Sequence, residues 1–174
     1  MEIKNKKILY KGYYQLEELE LETKDGEIIE RELFRNKNGV CAIVYNKSTN
    51  KHIFVKQWRL CNKNDIIEVV AGSIEKGETP IDAIRKEVIE ETGYDPITIY
   101  HLKDFYVSPG AITERVSLFY TEVNNTSKVK DILGAEGEHE DIELIEMTND
   151  EILDYNFIDA KTIIATMYIK ENLK

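Results

Sequence analysis

The stretch that most limits what this chain can become is AGSIEKGETPIDAIRKEVIEETGYD, from Ala71 to Asp95. It carries its own start and stop signals for a helix. Thr79 is a good N-cap, and Pro80 sits at the first helical position, where its missing N–H costs nothing. Gly93 ends the helix as a C-cap. Between these marks Glu87, Glu90 and Glu91 fall within five residues. At about 100° per residue they span roughly 100° of the helix circumference, so they share one face. Ile81, Ile84 and Val88 form the adjacent apolar stripe, and Ala83 leaves room within the carboxylate face one turn before Glu87.

A solvated acidic face is the ordinary explanation for such a cluster. Two features work against it. Glu87 and Glu91 repel one another one turn apart, and they stand in the C-terminal half, where the helix dipole favours cations. A local rule broken without an evident gain points towards function. Clustered carboxylates supply the several oxygen donors that a hard divalent cation requires.

The rest of the chain reads mainly as strands. ILYKGYYQLEELELET alternates in part, KDG is a hairpin turn, and EIIERELF follows it. Residues 39–46 and 52–58 are richer in β-branched and aromatic side chains, and 65–72 reads as one further strand. After the capped helix come strands at 97–107 and 115–123, a long loop over 124–137 and a strand at 142–147. Two helices close the chain, the last with an apolar stripe at Ile163, Ile164, Met167 and Tyr168. This order implies an α+β fold, an α/β/α sandwich around a mixed sheet, with an N-terminal antiparallel β arm.

The 174 residues fit one domain with a small appendage, divided as an arm at 1–37 and a main domain at 38–174. A net charge of -10 disfavours nucleic-acid binding through a broad basic surface. The N-terminus lacks the apolar run of a secretory signal, and no stretch approaches the ~20 apolar residues of a membrane span. Cys41 and Cys61 are too far apart for a CxxC motif and read as reduced thiols of a cytoplasmic protein.

The glutamate stretch resembles the Nudix box of the Nudix hydrolases. That pattern is Gly, five residues, Glu, seven residues, then Arg-Glu-aliphatic-any-Glu-Glu-any-Gly-aliphatic. Gly72, Glu78, Glu87, Val88, Glu90, Glu91 and Gly93 stand in register. Chance agreement at these positions is on the order of 10⁻⁷ per start site at average residue usage. Lys86 replaces the usual Arg, keeping the charge and losing the bidentate fork. Tyr94 replaces an aliphatic residue. The resemblance implies hydrolysis of a nucleoside diphosphate linked to another group, with Mg²⁺ or Mn²⁺ as cofactor. It implies Glu87, Glu91, Glu90 and the Ala71 carbonyl as metal ligands. Glu78 serves either loop and helix-start organisation or the chemistry directly. Gly72 and Gly93 read as glycines with special backbone angles.

Segments outside the box resemble the ADP-ribose pyrophosphatase subgroup. Pro109 lies 16 residues after Gly93, and VKQWR at 55–59 resembles the segment before the box in those enzymes. Pro109, Glu114 and Arg59 are therefore expected near substrate, with a salt bridge as the alternative for Arg59. GEHEDIE, 137–143, resembles their acidic loop, in which a glutamate acts as catalytic base or metal partner. Glu140 is the first choice for the base and Glu138 the second, Asp141 has a weaker claim, and Glu90 remains if the water is activated from the box. Nudix GDP-mannose pyrophosphatases share RKE, EETGY and the EDIE loop. ADP-ribose is thus the first substrate expected, GDP-mannose or another nucleotide sugar the second. A non-catalytic Nudix ligand sensor is the alternative of another class. In the relatives the arm joins a swapped homodimer, so a domain-swapped homodimer is expected, with no membrane or nucleic-acid partner.

Overall fold

The turn KDG connects two strands as expected: β2 (Gln15–Glu22) runs through Gly26, at φ +84°, into β3 (Ile28–Arg35). A left-handed residue of this kind suits glycine, which has no Cβ to clash. β1 (Glu2–Lys11) pairs antiparallel with β2, giving a three-stranded sheet in the order β1-β2-β3. The computed structural model describes residues 1–129 and 141–172. These divide into one unit of Met1–Asn38 with Phe105–Val116 and a second of Gly39–Asp104 with Ser117–Lys174. In the first unit Phe34 bridges to Ile112. The Phe34 N–H donates to the Ala111 carbonyl at 2.8 Å, and the Thr113 N–H donates to the Phe34 carbonyl at 3.1 Å.

The second unit is built on β4 (Gly39–Asn46), β5 (Lys51–Arg59), β6 (Asn64–Glu68), β7 (Val70–Ser73), most of β8 (Thr98–Tyr106) and of β9 (Arg115–Val123), and β10 (Glu143–Met147). The main path of the mixed sheet is β10-β5-β4-β9-β8, with β6 on β5 and β7 on β4. Its helices are α1 (Pro80–Thr92), α2 (Asn149–Asp154) and α3 (Ala160–Asn172). Side chains alternate between the faces of a strand. On β4 and β5, Val40, Ala42, Val44, Ile53 and Val55 join Ala83, Ile84 and Val88 of α1 in one buried cluster. The alternate residues Cys41, Ile43, His52 and Phe54 face the other way, where Phe54 stacks on Phe157 at 5.1 Å. α1 therefore covers one face and α3, which packs on β4, the other. This is the expected α/β/α sandwich.

Three local expectations need correction. Residues 65–72 do not form one strand. Glu68 pairs with Val55 of β5, Val70 pairs with Ala42 of β4, and the chain changes neighbour at Val69. The Val69 N–H leaves the ladder and donates to Thr162 Oγ1 of α3 at 2.9 Å. In α3 the buried face is Thr162, Ala165, Thr166 and Ile169, while Ile163 is 41% exposed and Met167 56%. The small residues let the helix approach the sheet closely, which a stripe of large apolar residues would prevent. In α1, Ala83, Ile84 and Val88 are buried, but Ile81 is exposed.

Candidate active site

The short strand β7 and the helix α1 bring the box residues together. Thr79 caps α1 as expected: its Oγ1 accepts the Asp82 N–H at 3.2 Å, with Pro80 opening the helix. Gly93 closes it at φ +77°, donating to the Ile89 carbonyl at 3.0 Å. These ends fix the rotation of the helix, so the face that carries Glu87 and Glu91 turns towards β7 and not towards water. Glu91 is only 4% exposed. Its Oε2 accepts the Ala71 N–H at 3.2 Å and its Oε1 accepts from Gln57 Nε2 at 3.3 Å. An acidic surface face does not look like this, because burying an unpaired carboxylate is costly.

Gly72 corrects the sequence reading. It does not have a positive φ. It is glycine because the Glu87 carboxylate fills the space where a β-carbon would stand. The carboxylate thus packs directly on the strand backbone beside Ala71. Lys86 Nζ lies 3.3 Å from Glu87 Oε1 and 3.9 Å from Glu78 Oε1. Burial opposes the charge on Lys86, but the Glu87, Glu78 and Glu90 carboxylates outweigh it and raise its pKa. Glu90 is half-buried on the same helix. Glu78 Oε2 also accepts the Glu75 N–H at 2.9 Å, so this side chain organises the turn before α1.

Arg59 forms the salt bridge that was one of its two readings. Its Nε donates to Glu68 Oε1 at 2.6 Å and its Nη2 to Glu68 Oε2 at 3.1 Å. Glu68 is buried and also stands 3.7 Å from Lys161 Nζ. Pro109 and Glu114 belong to the other unit, where Glu114 Oε2 accepts from Asn36 Nδ2 at 3.1 Å. Glu138 and Glu140 lie outside the described residues, and Asp141 is exposed. The structure thus gathers Ala71, Gly72, Glu87 and Glu91, with Lys86 and Glu78 beside them. Gln57, which holds Glu91, and Glu68, which holds Arg59, were missed in the sequence. Gln57 is a polar residue at a strand position whose neighbours Ile53 and Val55 face the core, and that break in the alternation was its signal. Glu68 gave no comparable sign.

A Nudix domain model matches residues 35–166. The chain belongs to the Nudix family. It is 32% identical to the GDP-mannose pyrophosphatase of Cronobacter sakazakii over 98% of this chain and 95% of that protein. It is also 32% identical to the GDP-mannose pyrophosphatase of Escherichia coli, over 94% and 92%. A solved ADP compounds hydrolase superposes with a TM-score of 0.80 at 17% identity, covering 99% of this chain and 93% of that one, which shows a shared fold. The protein is a Nudix pyrophosphohydrolase.

Nudix hydrolases use a divalent cation. Among the described residues, no three of His, Cys, Asp and Glu are gathered into a cation cage. Glu87 is instead balanced by Lys86, and Glu91 by Gln57 and the Ala71 N–H. The donor set still fits in its chemistry. Two carboxylates beside a strand backbone offer oxygen donors alone, the preference of a hard cation. Among the described residues, no helix is long and apolar enough to cross a membrane.

Proposed function

We propose that this Nudix hydrolase splits the pyrophosphate of a nucleoside diphosphate sugar into a nucleoside monophosphate and a sugar phosphate. The placement of Glu87 against Gly72 and of Glu91 on the Ala71 N–H carries this reading. It concentrates negative charge and oxygen donors where a strand meets a helix. Glu87, Glu91, Glu90 and the Ala71 carbonyl would hold Mg²⁺ or Mn²⁺. Such a cation, when bound, neutralises the bridging phosphates and acidifies a water.

The chain's own groups do the rest. Arg59, oriented by Glu68, binds a substrate phosphate. A carboxylate orients the attacking water and takes its proton, in the order of preference Glu140, Glu138, Glu90. The water oxygen bonds to one phosphorus, the bridging P–O bond breaks, and the second phosphate leaves with that bridging oxygen.

The sequence alone placed ADP-ribose first. Kinship over nearly the whole chain supports GDP-mannose ahead of it, because the ADP compounds hydrolase shares only the fold. The arm, residues 1–37, would join a domain-swapped homodimer, with 38–174 as the catalytic domain. Its exposed Ile3, Ile8, Tyr10 and Tyr13 support this. Two free cysteines suit a cytoplasmic setting. A panel of GDP-mannose, ADP-ribose and other nucleotide sugars with Mg²⁺ or Mn²⁺, scored by nucleoside monophosphate released, tests the reading. GDP-mannose should lead ADP-ribose by at least about tenfold in kcat/KM, or ~1.4 kcal/mol. The opposite order restores ADP-ribose, and no release from any member overturns the proposal.

A further inference from the structure

The strand break at Val69 lies between the two parts of the site that the proposed reaction uses. One residue before it, Glu68 holds Arg59 through two hydrogen bonds. Two residues after it, the Ala71 N–H donates to Glu91 Oε2 at 3.2 Å, and Gly72 then packs against the Glu87 carboxylate. Val69 itself falls between the pairing of β6 with β5 and that of β7 with β4, and it is 2% exposed. A buried backbone N–H without a partner is costly, so this one has to be met from outside the sheet.

The start of α3 meets it. Thr162 Oγ1 accepts the Val69 N–H at 2.9 Å. The same hydroxyl donates to Asp159 Oδ2 at 2.7 Å, and that oxygen also accepts the Thr162 N–H at 2.9 Å. With its proton committed to Asp159, the hydroxyl keeps a lone pair for Val69. Burial raises the Asp159 pKa, but the Lys161 charge and hydrogen bonds from Lys161 and Thr162 prevail and hold it below its ordinary value, so the carboxylate stays an acceptor. Thr162 is fully buried, which keeps bulk water from taking its place.

We propose that Thr162, oriented by Asp159, is a positioning residue for the hydrolysis: by holding the Val69 N–H it fixes where β7 leaves β6, and so sets the Ala71 peptide for the cation. This role rests on the reading of Ala71, Glu87 and Glu91 as cation ligands. The N–H and C=O of one strand residue point to the same edge, so the Ala71 carbonyl opens on the side where its N–H meets Glu91. A slack contact at Val69 lets the start of β7 shift. Groups that hold a ligand in place govern metal affinity along with the ligand itself. Thr166, one turn later on the same buried face of α3, provides the contrast, because its Oγ1 donates within the helix, to the Ile163 carbonyl at 3.0 Å.

The test is Mn²⁺ binding to the intact protein without substrate, read by electron paramagnetic resonance, with thermal unfolding followed alongside. Thr162→Val keeps the shape and removes the hydroxyl, and it should weaken Mn²⁺ at least about tenfold. Thr162→Ser should restore most of the affinity. Thr166→Val removes a hydroxyl from the same helix face and should leave Mn²⁺ binding unchanged. Thr162→Ala, which leaves room beside Val69, carries the same expectation as Thr162→Val if the latter does not fold. Mn²⁺ bound as tightly as by the wild type in a folded Thr162→Val or Thr162→Ala overturns the proposal. Equal weakening by Thr166→Val also overturns it, since both hydroxyls would then act through stability alone, and so does a Thr162→Ser as weak as Thr162→Val. No Mn²⁺ binding by the wild type defeats this role together with the cation reading, whereas wild-type binding that is insensitive to Thr162 leaves that reading standing.

Discussion

Glu91 stands in the last turn of α1, where the helix dipole is unfavourable to a carboxylate and no basic residue offsets it. Its charge is stabilised instead by the Ala71 N–H and the Gln57 amide. Removing the amide should therefore disturb Glu91 more than the fold. In Gln57→Leu the activity should fall by at least about tenfold, ~1.4 kcal/mol of barrier, with a raised requirement for divalent cation. An unchanged cation dependence would leave Gln57 a packing residue. Gly72→Ala puts a methyl into the Glu87 carboxylate, so it should reduce kcat strongly while circular dichroism still reports a folded chain. At this scale the sequence showed which glutamates share a face, because helical spacing decides that. It did not show why Gly72 is glycine, because the cause is a side chain fifteen positions later and not a local backbone angle.

Among the elements, α1 was legible almost to the residue. Thr79, Pro80 and Gly93 act through the backbone within one turn, and such rules survive any tertiary setting. Thr79→Ala should cost about 1 kcal/mol in denaturant unfolding, the usual worth of an N-cap. An unaltered midpoint would mean that packing alone fixes the helix start. The break at Val69 was not legible. It depends on which strands neighbour β6 and β7 and on the Thr162 hydroxyl more than ninety residues away. The apolar stripe assigned to α3 failed for a related reason. Periodicity identifies a helix, but Ile163 and Met167 compete with Thr162 and Thr166 for the inner face, and close approach to the sheet favours the smaller pair.

On the scale of the molecule, the arm has little core of its own. Leu19 and Glu17 are buried there, whereas Tyr13 is 95% exposed. Glu17 sits between Lys6 Nζ at 2.5 Å and Arg35 Nε at 2.6 Å. Burial raises its pKa, but hydrogen bonds from Lys6, Arg35 and Gln15 prevail and lower it below the ordinary 4.5. A lowered folded pKa stabilises the arm above the unfolded value and loses that stabilisation as pH falls through the folded one. Protection of the β1–β3 amides, taken as the intrinsic exchange rate over the observed one, should thus fall as pH drops below the ordinary 4.5 and through the lowered folded pKa, and Glu17→Gln should flatten that dependence. An equally steep profile in the variant would assign it to other groups. Sedimentation at tens of micromolar should give a dimer that becomes monomeric when residues 1–37 are deleted; a monomeric full-length chain contradicts the proposed assembly. The central claim is that the box carboxylates drive cation-dependent cleavage of a nucleotide sugar. Its most direct measurement is the rate of nucleoside monophosphate release from GDP-mannose by the wild type and by Glu91→Gln, each with Mg²⁺ and with excess EDTA. The account predicts release by the wild type with Mg²⁺, none in EDTA, and at least about a tenfold loss in a folded Glu91→Gln. Full activity in excess chelator, or a Glu91→Gln variant as fast as the wild type, would contradict it.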